Sequence, residues 1–144
     1  MTDTREELVL SYEGAARILG SAISKADEMG VPQCIAVTDA GGHLLAFART
    51  DGGKVLSIDS SLAKARTAAS GRVPTGRMSE ELARGLAFAT GGKVTNLPGG
   101  LPIILDGHLI GAIGVGSGTG EQDVAVAAAG ISSLDGAKDW TTDE

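Results

Sequence analysis

Leu101-Pro-Ile-Ile-Leu105, Asp106-Gly107, His108-Leu109-Ile-Gly-Ala-Ile-Gly-Val115 is the stretch that decides the fold. Two apolar runs, Leu101 to Leu105 and Leu109 to Val115, flank an Asp-Gly pair. Asp-Gly readily takes the positive φ angles of a two-residue turn, so the runs are expected to form an antiparallel hairpin. Upstream, Gln33 to Asp39 and His43 to Thr50 surround Gly41-Gly42 and are expected to form a second one. Two-residue turns cannot join parallel strands, so the sheet is expected to be mainly antiparallel. The turns Asp39-Ala-Gly-Gly-His43 and Asp106-Gly-His108 are alike. Shared turn chemistry and a weak internal duplication both account for the likeness.

Helices are expected to flank these hairpins. From Ser11 to Met29 the apolar residues Tyr12, Ala15, Ala16, Leu19, Ala22, Ile23, Ala26 and Met29 form one stripe at helical spacing. Ser11 is the expected N-cap, and Gly30 and Pro32 stop the helix. Ser57 to Ser70 is expected to be helical, burying Ile58, Leu62, Ala65 and Ala69 and stopping at Gly71 and Pro74. Ser79 caps a short helix through Phe88. Thr119 and Gln122 make a capping box that opens a helix to about Leu134. Residues 1–9 read as a flexible arm, 10–136 as the domain, and 137–144 as an acidic tail.

The chain has 144 residues, a formal charge of −6, 42 % hydrophobic residues and only 3 % aromatic residues. The length fits one domain, and its core must be built from Ala, Val, Ile and Leu. An acidic chain with scattered Lys and Arg makes nucleic acid the weakest partner class. Cys34 is the single cysteine, which excludes an intrachain disulfide and reads as an inert buried thiol. No apolar run is long enough for a membrane span, and the N-terminus lacks a signal peptide's apolar region, so a cytoplasmic location is expected.

Several groups could carry chemistry. Gly114-Val-Gly116-Ser117-Gly118-Thr119-Gly-Glu121 leaves a strand and enters a helix, where free amides and the positive helix end can receive an anion. Lys64 and Arg66 lie two positions apart on a helix and so point in different directions; at most one is expected to face a pocket. Arg66 is the better anion clamp because its fork is planar and bidentate. Pro98-Gly99-Gly100 is a turn whose amides are open to a ligand or a neighbouring subunit. His43 and His108 are candidate iron ligands. No residue set has metal-ligand spacing, so no metal site is assigned. If the chain is an enzyme, Asp39, Lys64 and Glu121 are the groups that could move a proton.

Five stretches, in order and at these spacings, carry a resemblance. They are Val37-Thr-Asp-Ala-Gly-Gly-His-Leu-Leu-Ala-Phe47, the segment Asp59 to Thr67 with its Lys64-Ala-Arg66-Thr67 end, Pro98-Gly-Gly-Leu-Pro-Ile103, Asp106-Gly-His-Leu-Ile-Gly-Ala-Ile-Gly-Val-Gly116, and Glu121-Gln-Asp123. Together they resemble the GlcG/HbpS family over roughly residues 8 to 135. The resemblance implies an α/β (α+β) profilin-like sandwich, a homo-oligomer in the form of an octamer, and haem or corrinoid as ligand in some members. It also implies an iron-contacting histidine on the first helix. Ser11 to Met29 contains none; Tyr12 and Met29 are its only residues with axial-ligand precedent.

The leading expectation is a binding module for a small anionic organic ligand. Arg66, Gly99, Gly100, Gly116, Ser117, Gly118 and Thr119 are expected to converge on it within Ala-, Val- and Leu-lined walls. The rival is a cofactor-free isomerase or lyase acting on a small carboxylic acid. A third reading is an assembly domain packing through Ala125, Ala127, Ala128, Ala129 and Gly130.

Overall fold

The computed structural model describes residues 2–142; Met1 of the arm and Asp143–Glu144 of the tail lie outside the described residues. The elements run α1 (Tyr12–Met29), β1 (Cys34–Asp39), β2 (Leu44–Arg49), α2 (Ser57–Gly71), α3 (Glu80–Ala89), β3 (Gly100–Leu105), β4 (His108–Gly116) and α4 (Gly120–Ile131). The ends of α1 and α4 have local causes. The Ser11 hydroxyl accepts the Gly14 amide at the head of α1, and Gly30 closes it at φ 69°. The capping box of Thr119 and Gln122 opens α4. That helix ends at Ile131, short of the expected Leu134. Ser132 and Ser133 turn their hydroxyls back onto Ala129 and Gly130, and Leu134 bonds Ile131 in a turn.

The four strands form one sheet in the order β2-β1-β4-β3, and every pairing is antiparallel. Alternation splits the sheet into two unlike faces. Ile35, Val37, Leu101, Ile103, Ile113 and Val115 point to one side and pack with Ile18, Ala22, Val126 and Ile131 of α1 and α4. The opposite side carries a row of minimal side chains, Ala36 paired with Gly114 and Gly114 paired with Gly100. Pro102 has no amide to donate and sits on β3, which is an edge strand.

Helix α2 lies directly on that bare row. A Cβ at Gly114 would collide with the Ser61 carbonyl and the Ala65 amide, and one at Gly100 with the Lys64 carbonyl. This contact revises the expected apolar stripe of α2, in which Ala65 and Ala69 are buried as expected and Leu62 is half-buried. Ile58 is left exposed, while Ser57, Ser61, Lys64, Ala65 and Ala68 are buried. The sheet beneath has room for small side chains alone, so the helix turns its small face inward.

The tail docks along β3. Ala137 bridges to Leu105, the Lys138 amide donates to the Ile104 carbonyl at 2.8 Å, and Trp140 Nε1 donates to the Pro102 carbonyl at 2.7 Å. The outer edge of the sheet is thereby covered. No described helix is long and apolar enough to cross a membrane.

Two glycine substitutions are expected to have opposite signs. Gly114→Ala forces backbone apart and should lower stability by about 2–3 kcal/mol or more. Gly20→Ala adds its methyl in open space on α1 and should raise stability by roughly 0.5–1 kcal/mol. Urea midpoints at constant slope measure both.

Candidate functional site

Where α2 crosses the ends of β3 and β4, Lys64 runs inward and is 4 % exposed. Its ammonium donates to the Val115 carbonyl at 2.7 Å and to Asp123 Oδ2 at 3.0 Å. Asp123, in the first turn of α4, is 2 % exposed. Its Oδ1 accepts the Gly118 amide at 3.0 Å. Buried Gln33 adds its amide group to Asp123 Oδ1 at 3.1 Å and to the Gly116 carbonyl, in the orientation that satisfies both. A charge pair this deep needs such a shell, because hydrogen bonds must replace the water both ions lose.

The pair floors a cleft of about 260 Å³ lined by Lys54, Ser57, Ser60, Lys64, Leu97, Pro98, Ser117, Gly118, Gly120 and Asp123. The first turns of α2 and α4 both open onto it. Lys54 stands exposed at the rim, and its amide donates to Ser117 Oγ at 3.0 Å. The expected Ala, Val and Leu walls are absent: Leu97 and Pro98 supply the apolar lining and hydroxyls supply much of the rest. Small strand residues leave α2 close to the sheet, so the side chains reaching this corner are short and polar.

The expected site residues divide. Ser117 and Gly118 line the cleft, Gly99 and Gly100 pack against Lys64, and Gly116 packs on Ser57 and Ser60, whereas Thr119 caps α4 outside the lining; most are spacers or internally bonded. A Cβ at Gly99 would lie 2.6 Å from the Val115 carbonyl oxygen and 3.1 Å from Lys64 Nζ, so this glycine admits the ammonium. The Gly100 amide donates to Thr75 Oγ1 at 2.9 Å, and the Gly99 carbonyl accepts the Val115 amide. A Cβ at Gly116 would press on Ser60 and Ser57. The Gly118 amide is taken by Asp123, and the Thr119 amide by Gln122 Oε1 at 2.9 Å. The anion that the glycine-rich loop receives is therefore the chain's own Asp123.

Arg66 is not part of this corner. Its Nε donates to the Gly42 carbonyl at 3.1 Å, and it lines a separate groove beside the β1–β2 turn. Both residues line a cavity, not at most one as expected: residues two apart on a helix diverge by roughly 200°, which sends Lys64 and Arg66 to different cavities. The proton-moving trio is likewise dispersed. Asp39 lies at the far end of β1, opposite Gly111, while Cys34 at the near end pairs Gly116; that span is about 17 Å. Glu121 is exposed and outside the cleft lining. Burial raises the Asp39 pKa, but the His43 and Gly41 amides and the imidazole outweigh it and hold the carboxyl below its usual value. For Cys34, burial pushes the thiol up against the opposing effects of Ser117 and Arg49. Both histidines are exposed.

Asp123 and Gln33 are the residues that sequence reading missed. Each carried a signal. Asp123 follows the capping glutamine by one position, from where a carboxylate can fold back on loop amides, and Gln33 is a polar residue opening an otherwise apolar strand.

Lys64→Met leaves a buried carboxylate alone and Asp123→Asn leaves a buried ammonium alone. Each is expected to cost about 3–5 kcal/mol. The double substitution should cost clearly less than the sum of the two, which a double-mutant cycle in urea measures. Strict additivity would rule out direct pairing.

Known proteins are similar to this chain in sequence and fold. The E. coli K12 protein GlcG is 40 % identical over 112 residues, which are 77 % of this chain and 84 % of that one. The Klebsiella pneumoniae protein ORFY superposes with a TM-score of 0.84 at 30 % identity, covering 92 % of this chain and 95 % of that one. The structure described as a PduOC:heme complex superposes at 0.83 and 26 % identity, covering 92 % and 99 %. Residues 10–132 match the family described as "HbpS-like: Haem degrading protein HbpS-like". Matched over most of its length and built on the same helices and antiparallel sheet, the chain belongs to the HbpS-like family.

Proposed function

We propose that this chain is an oligomeric binding protein for a small organic anion, received in the cleft above Lys64 and Asp123. One observation supports this most: two helix N-termini and Lys54 converge on a cleft whose carboxylate is already neutralised by Lys64. The positive ends of α2 and α4 favour negative charge there. Ser57, Ser60 and Ser117 offer hydroxyl donors, Lys54 offers the mobile cation, and Leu97 with Pro98 offers an apolar wall. A cleft of about 260 Å³ falls below the roughly 300–1,000 Å³ typical of drug-sized ligands, which favours an acid of few carbons.

Haem is bound in the PduOC complex, and the description of the family is of a haem-degrading protein. The residues of this cleft do not fit it. None of His, Tyr, Met or Cys lines it, its floor is an ion pair, and α1 carries no histidine. The chemistry these residues offer is that of an anion receptor.

The oligomer implied by the resemblance has a physical motive in α3. None of its residues is buried, Leu82 is 53 % exposed and Phe88 is 92 % exposed. A ten-residue helix is marginal in water without a packed face. Association of copies through this face would supply one. Phe88→Asp is expected to shift the particle to a smaller mass by light scattering after size exclusion; an unchanged mass counts against α3 as the contact.

The binding proposal is tested by thermal unfolding with a panel of short hydroxy- and keto-carboxylates. At least one is expected to raise the midpoint with concentration, as a ligand specific for the folded state must. Lys54→Gln should weaken it about tenfold, whereas Lys25→Gln on α1 should not. Saturating hemin is expected to leave that affinity unchanged. Lack of stabilisation across the panel, or equal affinity in Lys54→Gln, would overturn the proposal.

A further inference from the structure

On the other flank of α2 lies a groove of about 510 Å³ lined by Ala40, Gly41, Gly42, His43, Arg66, Ala69, Ser70, Thr90, Lys93 and Val94. We propose that it is a second ligand site, distinct from the Lys64 cleft, and that it binds a small organic dicarboxylate through Arg66 and Lys93.

The fold holds the Arg66 side chain and the backbone of the loop that bears Lys93. Gly42 has φ 83°, and a Cβ there would lie 3.0 Å from Arg66 Cγ, so the bare turn packs on the arginine stem. The Nε–H is spent on the Gly42 carbonyl at 3.1 Å. The terminal nitrogens of the guanidinium are thereby left as the pair that can meet a carboxylate side by side. The loop that bears Lys93 is tied to Thr67, the neighbour of Arg66. The Thr67 hydroxyl donates to the Ala63 carbonyl of its own helix at 2.7 Å and accepts the Thr95 amide at 3.0 Å. Thr90 Oγ1 accepts the Val94 amide at 3.2 Å. The 90–95 loop is thus fastened to the helix that bears Arg66.

The charge of this groove is uncompensated. Among the described residues no ion pair joins Arg66 or Lys93 to a carboxylate. Asp39, one residue outside the lining, turns its Oδ1 back on the Gly41 and His43 amides, both at 2.9 Å, and on His43 Nδ1 at 3.3 Å. Two free cations on one concave surface are unexpected in a chain of net charge −6. The walls between them, Ala40, Ala69 and Val94, are small and apolar. That suits a short carbon chain with an acidic group at each end better than an inorganic anion.

Succinate, butyrate and inorganic phosphate serve as probes, with calorimetry for affinity and amide NMR for location. Succinate is expected to bind about tenfold or more tighter than butyrate, the same length with one charge fewer. Its addition should shift the amides of Gly41, Gly42 and Val94. Arg66→Lys, which keeps the charge and loses the fork, and Lys93→Gln, which alters an exposed side chain, should each weaken succinate about five- to tenfold. Equal affinity for succinate and butyrate, equal affinity in Lys93→Gln, tighter binding of phosphate than of succinate, or shifts confined to Gly118 and Gly120 would each overturn the proposal. The last result would leave the Lys64 cleft as the sole anion site, so the two readings fail separately.

Discussion

The contact of α2 with the bare face of the sheet governs the rest of the molecule. A helix normally rides about 10 Å from a sheet on a layer of side chains. Here Ala36, Gly114 and Gly100 remove much of that layer across three neighbouring strands, and the helix backbone touches strand backbone. The large core therefore has one side on which to form, between the sheet and α1 with α4. Under α2 the buried cluster consists of alanines, Ala65, Ala68, Ala69 and Ala112. Helix position is fixed by steric exclusion there rather than by interlocking branched side chains, and a single added methyl is enough to disturb it.

That closeness also explains how a lysine comes to be buried. With α2 pressed on the sheet, the Lys64 stem passes beside Gly114 and over Gly99 and delivers its ammonium to the end of β4. The glycine-rich loop that follows β4 would otherwise present amides to solvent, but Asp123 turns back and takes one of them. The result ties α2, β4 and α4 together at one buried point. Burying two ions seldom adds net stability, since desolvation offsets the attraction. What the pair provides is register: α4 must start where Asp123 can meet Lys64, and this sets the geometry of the cleft mouth above.

The fold was largely legible because its signals are local. Asp106-Gly107 and Gly41-Gly42 placed the hairpins, and Ser11, Ser79 and Thr119 placed helix starts. Misreadings arose where the deciding partner lies far along the chain. Ile58 and Leu62 look like an inward stripe on α2 until the glycines some fifty residues on are known to lie beneath. The loop around Gly118 looks like a receptor for an external anion until Asp123 is seen to occupy it. Helical period predicted that Lys64 and Arg66 would diverge, yet nothing within α2 says which of them a distant turn will meet.

The divergence of those two residues has a consequence for how such sequences are interpreted. Lys-x-Arg on one helix suggests a single basic site, and the glycine turns suggest amides converging on it. In the folded chain the lysine is neutralised by a carboxylate and given to structure, whereas the arginine keeps its charge and faces a separate groove. A positive charge contributes to binding only to the extent that it is not already compensated. On that measure Lys54 and the helix ends polarise one flank of α2, and Arg66 with Lys93 polarises the other. The helix that the small-residue face draws onto the sheet thus separates two hollows, one rimmed by Lys54 and the other lined by Arg66 and Lys93.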